Sequence, residues 1–254
     1  MIPECVNSGG PGSIVRLDTA PTLETVYPLS AAALTALAAW KARPGAIVTL
    51  VDPEQTCYRA RLVADGEAWQ VVPFERLNRP AESRVALHVY HALPEKERFE
   101  LVLQKLTELG ATRIVPMITR RSATLEERDA GQKKSHRWPE VVLRAARQCR
   151  RAVIPELGAV AGWTEVLAEG EGADCRLLLY EGEVSLTLGE VLRGTSPRRV
   201  VLTVGPEGGF AAEEVTEARA AGFTAVSLGP RILRTETAAI VGAALVQHLA
   251  GDLA

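Results

Sequence analysis

The chain has 254 residues, of which 47% are hydrophobic and 24% are charged, the balance of an ordinary globular protein. Its length allows one large domain or two small ones. No apolar run is long enough to cross a bilayer, and the first residues do not follow the pattern of a secretion signal, so we expect no membrane partner. The cysteine usage predicts a reducing, cytoplasmic compartment. The four cysteines are scattered singly, which argues against a disulfide framework or a metal site.

The charges of the chain are distributed unevenly. The net charge is −2, yet residues 113–151 hold eleven Lys/Arg against four Asp/Glu, about +7, so the remainder sums to about −9. Within this segment Arg120 and Arg121 follow a predicted strand, and Arg144, Arg147 and Arg151 share one face of a predicted helix over 139–151. A basic patch on an acidic protein predicts an anionic polymer as the partner.

The N-terminal part of the chain is rich in short predicted strands. Turn residues separate these strands, and Ser30 is placed to cap one helix over residues 30–41. We therefore predict a small β-barrel domain over residues 1–77, followed by a linker at 78–83. The predicted strands are 14–17, 46–51, 57–63 and 69–74.

From residue 84 to 254 the pattern changes to strands alternating with helices. Such alternation predicts an α/β domain around a mostly parallel sheet. The predicted strands are 85–90, 114–117, 177–180, 200–204 and 225–228, and the predicted helices are 97–109, 139–151, one from 211, and 235–249.

Two glycine-bearing turns follow the last two strands, one over 205–209 and one at Gly229-Pro230. Loops at the carboxyl ends of parallel strands form the usual ligand crevice of an open α/β sheet. The first loop has neither the Lys-Ser/Thr of a phosphate-binding P-loop nor the GxGxxG spacing of a dinucleotide site. On its own it predicts a close backbone approach to a ligand or simply a tight turn.

The second loop leads directly into the last helix. Thr235 as a helix N-cap accounts for one hydroxyl, but it does not explain why Arg234 and Glu236 flank it at a strand–helix junction. The small residues of that helix, Ala239, Gly242 and Ala243 among them, suit either close packing across a dimer or packing on the protein's own sheet.

Four motifs carry a family resemblance: QKLTELGATRIVP at 104–116, RWPEVVLRAARQCRRAVIPE at 137–156, GPEGGF at 205–210 and LGPRILRTETA at 228–238. They resemble the RsmE family, the 16S ribosomal RNA uridine-N3 methyltransferases of the SPOUT superfamily, and the resemblance covers about 90–254. It implies a C-terminal domain with a trefoil knot, S-adenosylmethionine as cofactor, an obligate homodimer, and a PUA-like RNA-binding N-terminal domain.

The resemblance also implies the site residues. Arg234 and Glu236 would be catalytic: Arg234 would stabilise developing charge, and Glu236 would orient Arg234 or act as the base. Three loops would hold the cofactor, with the residues Leu179, Tyr180, Glu181, Val204, Gly205, Pro206, Glu207, Gly208, Leu228, Gly229, Ile232, Leu233 and Ala238. Independently of the resemblance, the charge pattern predicts RNA contacts at Arg120, Arg121, Arg144, Arg147 and Arg151, and Arg16, Lys41 and Arg43 would either contact phosphate or be solvated surface.

The N-terminal part departs from the family pattern. The family's His-His-Leu reads Leu34-Thr35-Ala36 here, and Lys41 stands where the family has an arginine. Two alternatives therefore stay open beside uridine N3 methylation. One is a knotted methyltransferase with another RNA target atom, a ribose 2′-hydroxyl or a different base, and the other is a non-catalytic RNA-binding factor in ribosome assembly.

Overall fold

A computed structural model describes residues 6–65, 68–94, 98–129, 135–182 and 185–253. They divide into two compact units. The first contains the described residues of Met1–Asn7, Ser83–Val142 and Leu157–Ala254, and the second contains Ser8–Glu82 and Leu143–Glu156. No described helix is both long and apolar enough to cross a membrane.

The second unit contains a sheet with the strand order β1-β3-β4-β5-β2. The β1–β3 pair is parallel and the other pairs are antiparallel. The side chain of Ser30 caps the one α-helix between residues 8 and 65, as predicted, by accepting a hydrogen bond from the Ala33 N–H. The elements are β1 (Val15–Arg16), β2 (Tyr27–Pro28), α1 (Ala31–Ala39), β3 (Ile47–Val51), β4 (Cys57–Asp65) and β5 (Ala68–Arg76).

Glu82 is one of the residues that bind residues 143–156 within this second unit. Its carboxylate accepts hydrogen bonds from the Arg151 guanidinium, with Nη2 at 2.5 Å, and from the backbone N–H groups of Ala152 at 2.7 Å and Val153 at 3.1 Å. Arg151 is buried in this pair, with 4% of its side chain exposed. The unit therefore includes a segment that the predicted 1–77 domain left out.

The prediction that Arg144, Arg147 and Arg151 share one face of a helix is wrong for Arg151. The helix ends at Gln148, and Arg150 takes a left-handed conformation with φ of 58°. The chain leaves the helix axis there and turns Arg151 inward to Glu82, so Arg151 does not extend an exposed basic surface.

The remaining elements alternate strands and helices. They are β6 (Ala86–Ala92), α2 (Phe99–Glu108), β7 (Ala111–Ile118), α3 (Leu125–Asp129), α4 (Trp138–Gln148), β8 (Glu156–Leu157), β9 (Ala161–Gly162), α5 (Trp163–Glu169), β10 (Cys175–Leu179), α6 (Leu188–Leu192), β11 (Arg199–Val204), α7 (Ala212–Ala220), β12 (Thr224–Val226) and α8 (Thr235–Leu249). The helix α4 begins in the first unit and ends in the second.

The main sheet has the order β12-β10-β11-β6-β7-β8, and β9 also pairs with β7. Strands β12, β10, β11, β6 and β7 pair in parallel, which confirms the predicted α/β fold with a mostly parallel sheet. Their near-continuous apolar sequences suit strands that are covered on both faces. The loops after β10, β11 and β12 consequently meet at one edge of the sheet.

The small residues of α8 pack on this sheet. A Cβ added at Gly242 would lie 2.9 Å from Leu179 Cδ1 and 3.2 Å from Leu202 Cδ2, and Ala239 and Ala243 are fully buried. Gly242 therefore packs on the protein's own sheet, one of the two alternatives that the sequence left open. The same packing places the first turn of α8 beside the loops at the sheet edge.

Candidate active site

A cleft of about 510 Å³ lies where these loops meet the start of α8. Its volume falls in the range typical of small-molecule sites, about 300–1,000 Å³. Arg98, Leu179, Glu181, Val204, Gly205, Pro206, Glu207, Gly209, Phe210, Ile232, Leu233, Arg234, Thr235, Glu236 and Ala238 line it.

Most of the residues predicted for the cofactor and the chemistry lie around this one cleft. Arg234 and Glu236 are both there, as are nine of the thirteen predicted cofactor residues. Tyr180, Gly208, Leu228 and Gly229 are not among the lining residues. Tyr180 instead packs against an apolar cluster of the core, and Ser227 Oγ accepts from the Gly229 N–H at 3.1 Å.

The loop after β11 requires glycine at one position. Gly209 has φ of +67°, and its N–H donates to the Pro206 carbonyl at 2.9 Å. A Cβ at Gly209 would stand 2.5 Å from Glu181 Oε1. Both the backbone conformation and the neighbouring carboxylate therefore exclude a larger residue without rearrangement. The loop is thus a tight turn, and Pro206, Glu207 and Gly209 of this turn also line the cleft.

The loop after β7 braces the loop after β11. Arg121 Nη1 donates to the Gly208 carbonyl at 2.8 Å. The buried carboxylate of Glu214 accepts from the backbone N–H of Arg120 and that of Ala211, both at 2.8 Å. Arg120 also forms an exposed ion pair with Glu213 at 3.2 Å. The segment that carries the predicted RNA contacts Arg120 and Arg121 therefore braces the cleft loop and the start of α7, a role that sequence spacing did not indicate.

The carboxylate of Glu236 is bound by a residue that the sequence analysis missed. Arg98 Nη1 donates to Glu236 Oε1, and the two residues lie 138 positions apart in the chain. The side chain of Glu236 is 12% exposed, whereas that of Arg98 is 43% exposed and reaches the cleft. The carboxylate of Glu236 is therefore hydrogen-bonded to Arg98, whereas the sequence analysis expected Glu236 to orient Arg234 or to act as the base.

Thr235 ties the first turn of α8 to the loop after β11. Its Oγ1 donates to the Gly205 carbonyl at 2.5 Å and also lies 3.2 Å from Nε2 of the fully buried His91. Nδ1 of His91 lies 2.7 Å from the Ala92 carbonyl, and the ring contacts Phe99 with centroids 5.6 Å apart. His91 is the penultimate residue of β6, and a polar residue near the end of a buried strand is a signal that the sequence analysis did not use.

A partly buried polar cluster lies outside the cleft lining. Burial, and then the charges of Arg199 and Arg113, lower the pKa of His88 to about 4. Burial and a hydrogen bond to Glu169 at 2.5 Å raise the pKa of Tyr90. Because these side chains are absent from the cleft lining, we assign the cluster a role in stability.

The other predicted RNA contacts belong to the second unit. Arg16, Lys41, Arg43, Arg144 and Arg147 are all exposed there. Arg147 donates to the Trp40 carbonyl, and Arg16 Nη1 contacts Gln55 Oε1 at 3.5 Å. These five cations form exposed positive charge that suits phosphate groups. Arg151 does not contribute to it, because its side chain is buried against Glu82.

Residues 81–247 match the family model of the RNA methyltransferase domain. The chain belongs to the RNA methyltransferase family. It is 28% identical to the ribosomal RNA small subunit methyltransferase E of Mesomycoplasma hyopneumoniae over 183 residues, 72% of this chain and 78% of the relative. It is 36% identical to the protein of the same name from Synechocystis over 160 residues, 62% of this chain and 52% of the relative.

Structural similarity extends over nearly the whole chain. The ribosomal RNA small subunit methyltransferase E of Neisseria gonorrhoeae, solved with bound S-adenosylmethionine, superposes with a TM-score of 0.68 at 29% identity. The match covers 94% of this chain and 98% of that protein. These findings confirm the family resemblance and the enzyme class that the four motifs predicted.

Proposed function

We propose that this methyltransferase transfers a methyl group from S-adenosylmethionine to N3 of a uridine in 16S ribosomal RNA. The observation that carries the proposal is the meeting of a carboxylate and a guanidinium, Glu236 and Arg234, at a cleft that three loops of a parallel sheet enclose. The names of the relatives, all small subunit rRNA methyltransferases, and the cofactor bound to the Neisseria protein support it.

The lining of the cleft fits this cofactor. Leu179, Leu233 and Ala238 offer apolar walls for an adenine ring, and the loop after β11 exposes backbone groups for its polar edge. The carboxylates of Glu181 and Glu207 suit ribose hydroxyls and an ammonium group. When bound, the cofactor supplies an electrophilic methyl group on a sulfonium.

The chemistry requires a base and a charge stabiliser. Uridine N3 carries an imide proton, and the nitrogen is a poor nucleophile until that proton leaves. We assign Glu236 as the base, because it is the carboxylate beside Arg234 in the first turn of α8. The Arg234 guanidinium would stabilise the charge that spreads onto the flanking carbonyl oxygens.

The fold details and the partners that the resemblance implies are part of the same proposal. We propose a trefoil knot in the α/β domain, a PUA-like RNA-binding domain in the N-terminal part, and a homodimer that acts on the small ribosomal subunit in the cytoplasm. The exposed cations Arg16, Lys41, Arg43, Arg144 and Arg147 support RNA binding.

The test is nucleoside analysis of ribosomal RNA by mass spectrometry in a strain that lacks this gene. We expect 3-methyluridine to disappear from small-subunit RNA and to return on complementation with the wild-type gene, but not with Glu236→Gln. Loss of a 2′-O-methylated or another base-methylated nucleoside, with 3-methyluridine unchanged, would redirect the target atom. If no methylated nucleoside changes, the proposal is wrong.

A further inference from the structure

Arg98 places a second cation at the candidate active site. It lies at the N-cap of α2, lines the cleft, and binds the carboxylate of Glu236 in the first turn of α8. Arg234, the residue immediately before α8, lines the same cleft. A largely buried carboxylate thus shares one cleft with two guanidiniums from different parts of the chain, and both guanidiniums are more exposed than the carboxylate.

We propose that Arg98, Glu236 and Arg234 together recognise the imide edge of uracil, and that Arg98 is a further catalytic residue for the methyl transfer. This inference rests on the proposed function, since it takes uridine N3 as the target. The imide edge presents O4, N3–H and O2, which accept, donate and accept in turn. Two guanidiniums around a carboxylate present the complementary order of donor, acceptor and donor.

The same pattern rejects cytosine. Cytosine presents an amino donor at N4 and an unprotonated acceptor at N3. One guanidinium would then face a donor, and the carboxylate would face a lone pair, so both groups would lose their partners. Unpaired polar groups in a binding site are the strongest basis for discrimination between similar ligands. The site therefore selects the base by hydrogen bonding before any chemistry occurs.

The second cation also balances the charge during the reaction. As Glu236 takes the N3 proton, the negative charge moves from the carboxylate to the imide, and Arg98 exchanges its carboxylate partner for an imide oxygen. N3 then forms a bond to the methyl carbon, the carbon–sulfur bond breaks with its electron pair going to sulfur, and both products are neutral at the reacting centre. The proton on Glu236 passes to water. The two guanidiniums therefore face one negative charge from substrate binding until the methyl group is transferred, and face it again once Glu236 has released its proton.

The first test is Arg98→Gln, measured on small ribosomal subunits from a strain that lacks this gene. We expect kcat for 3-methyluridine formation to fall about 100-fold, the typical loss on removing one donor to a developing anion. Affinity for S-adenosylmethionine, measured by calorimetry, should change less than about twofold, because the variant leaves the proposed cofactor loops intact. Arg98→Lys should retain part of the rate, since it keeps the charge but loses the planar fork.

The matched control is Arg137→Gln. Arg137 forms a pair with Glu100 of α2 at 3.9 Å, its side chain is 56% exposed, and it is not among the cleft-lining residues. This variant removes a guanidinium that pairs with a carboxylate of α2 and should keep the wild-type rate.

The second test separates charge stabilisation from simple positioning of Glu236. A 5-fluoro group makes the imide proton more acidic, so the anion needs less stabilisation. On subunits reconstituted with 5-fluorouridine-containing RNA, the deficit of Arg98→Gln relative to wild type should shrink at least about tenfold. The pH at which kcat rises should also be higher in Arg98→Gln than in the wild type, because the imide loses its proton less readily without this cation.

The outcomes distinguish this inference from the proposed function. If the wild-type protein forms no 3-methyluridine, the proposed function itself fails. If the wild type forms it and Arg98→Gln keeps its full rate, only the inference fails. A loss that is equal on uridine and 5-fluorouridine, with an unshifted pH profile, would also overturn it, because Arg98 would then only hold Glu236 in place.

Discussion

The hydroxyl of Thr235 lies 2.5 Å from the carbonyl oxygen of Gly205, so the first turn of α8 is bonded directly to the loop after β11. Glu236 and Arg234 flank Thr235 in the chain, and Gly205 lines the cleft. The Thr235 side chain therefore links the residues proposed for the chemistry to the loop proposed for the cofactor.

Replacing Thr235 with valine should loosen this junction. The shape is kept, but the Gly205 carbonyl loses its hydroxyl donor, which costs about 1–3 kcal/mol where such a group is buried. We expect the affinity for S-adenosylmethionine to fall about tenfold by calorimetry, equivalent to about 1.4 kcal/mol. Thr235→Ser keeps the hydroxyl and should bind nearly as well as wild type. Equal affinity of the valine variant would show that the bond does not support the loop.

Glu214 should be far less tolerant of substitution than its neighbour Glu213. In Glu214→Gln one of the two backbone N–H groups, of Arg120 or Ala211, would face an amide NH₂ in place of an oxygen. Since Glu214 is 1% exposed, we expect the free energy of unfolding to fall by about 1–3 kcal/mol in urea titrations. The Glu213 side chain is 64% exposed, and Glu213→Gln should change it by less than about 1 kcal/mol. Equal effects would contradict a bracing role for Glu214.

A methyl group at Gly209 should disturb the cleft. Gly209→Ala forces a left-handed φ on alanine and brings its Cβ against Glu181 Oε1. We expect weaker binding of S-adenosylmethionine together with a lower melting temperature. The comparison variant is Gly189→Ala in α6, where a Cβ meets nothing within 4 Å and φ is ordinary. That change should be neutral or stabilising by about 0.5–1 kcal/mol.

His88 should make stability depend on pH. Its pKa is lowered to about 4 in the folded protein, whereas the unfolded value is about 6.5. Between these values the unfolded chain binds the proton more readily, so the free energy of unfolding should fall as pH drops from 6.5 to 4. We expect urea titrations of His88→Gln to show a shallower decline over this window. Parallel curves for the two proteins would exclude His88 as a contributor.

Substitutions of Arg144 and Arg151 should change different properties, RNA binding for Arg144 and stability for Arg151. Arg144→Gln should lower the affinity for small-subunit rRNA and reduce the slope of log affinity against log salt by about 0.7–0.9, the contribution of one phosphate contact. Arg151→Met should instead destabilise the protein by about 3–5 kcal/mol, because it leaves the carboxylate of Glu82 without its cation. If Arg144→Gln binds with an unchanged salt slope, Arg144 does not contact phosphate.

Local patterns predicted the elements that local interactions decide. The last helix runs from Thr235 to Leu249, as the alanine-rich pattern and the preceding Gly229-Pro230 turn indicated. The cleft was predictable because strands with continuous apolar runs ended at two glycine loops. The pair of Arg98 with Glu236 was not, since it depends on how α2 and α8 pack.

The error over Arg151 has an identifiable cause. The Arg150 N–H donates to the Arg147 carbonyl and the Arg151 N–H to the Ala146 carbonyl, the bonding pattern of a helix end with a left-handed residue. Glycine usually occupies that position, but here it is Arg150. Spacing alone therefore extended the helix by three residues, and the burial of Arg151 against Glu82 could not be anticipated.

The division of the second unit into Ser8–Glu82 and Leu143–Glu156 has a consequence for protein synthesis. The partners of Glu82 at Arg151, Ala152 and Val153 leave the ribosome only after the whole of β6, α2 and β7 has been made. Although its first residues are translated first, this unit cannot reach its final hydrogen bonding until residue 156 has emerged. The second unit therefore completes its folding only when residues 143–156 pack against residues 8–82. A fragment that stops at residue 82 lacks this second segment of the unit.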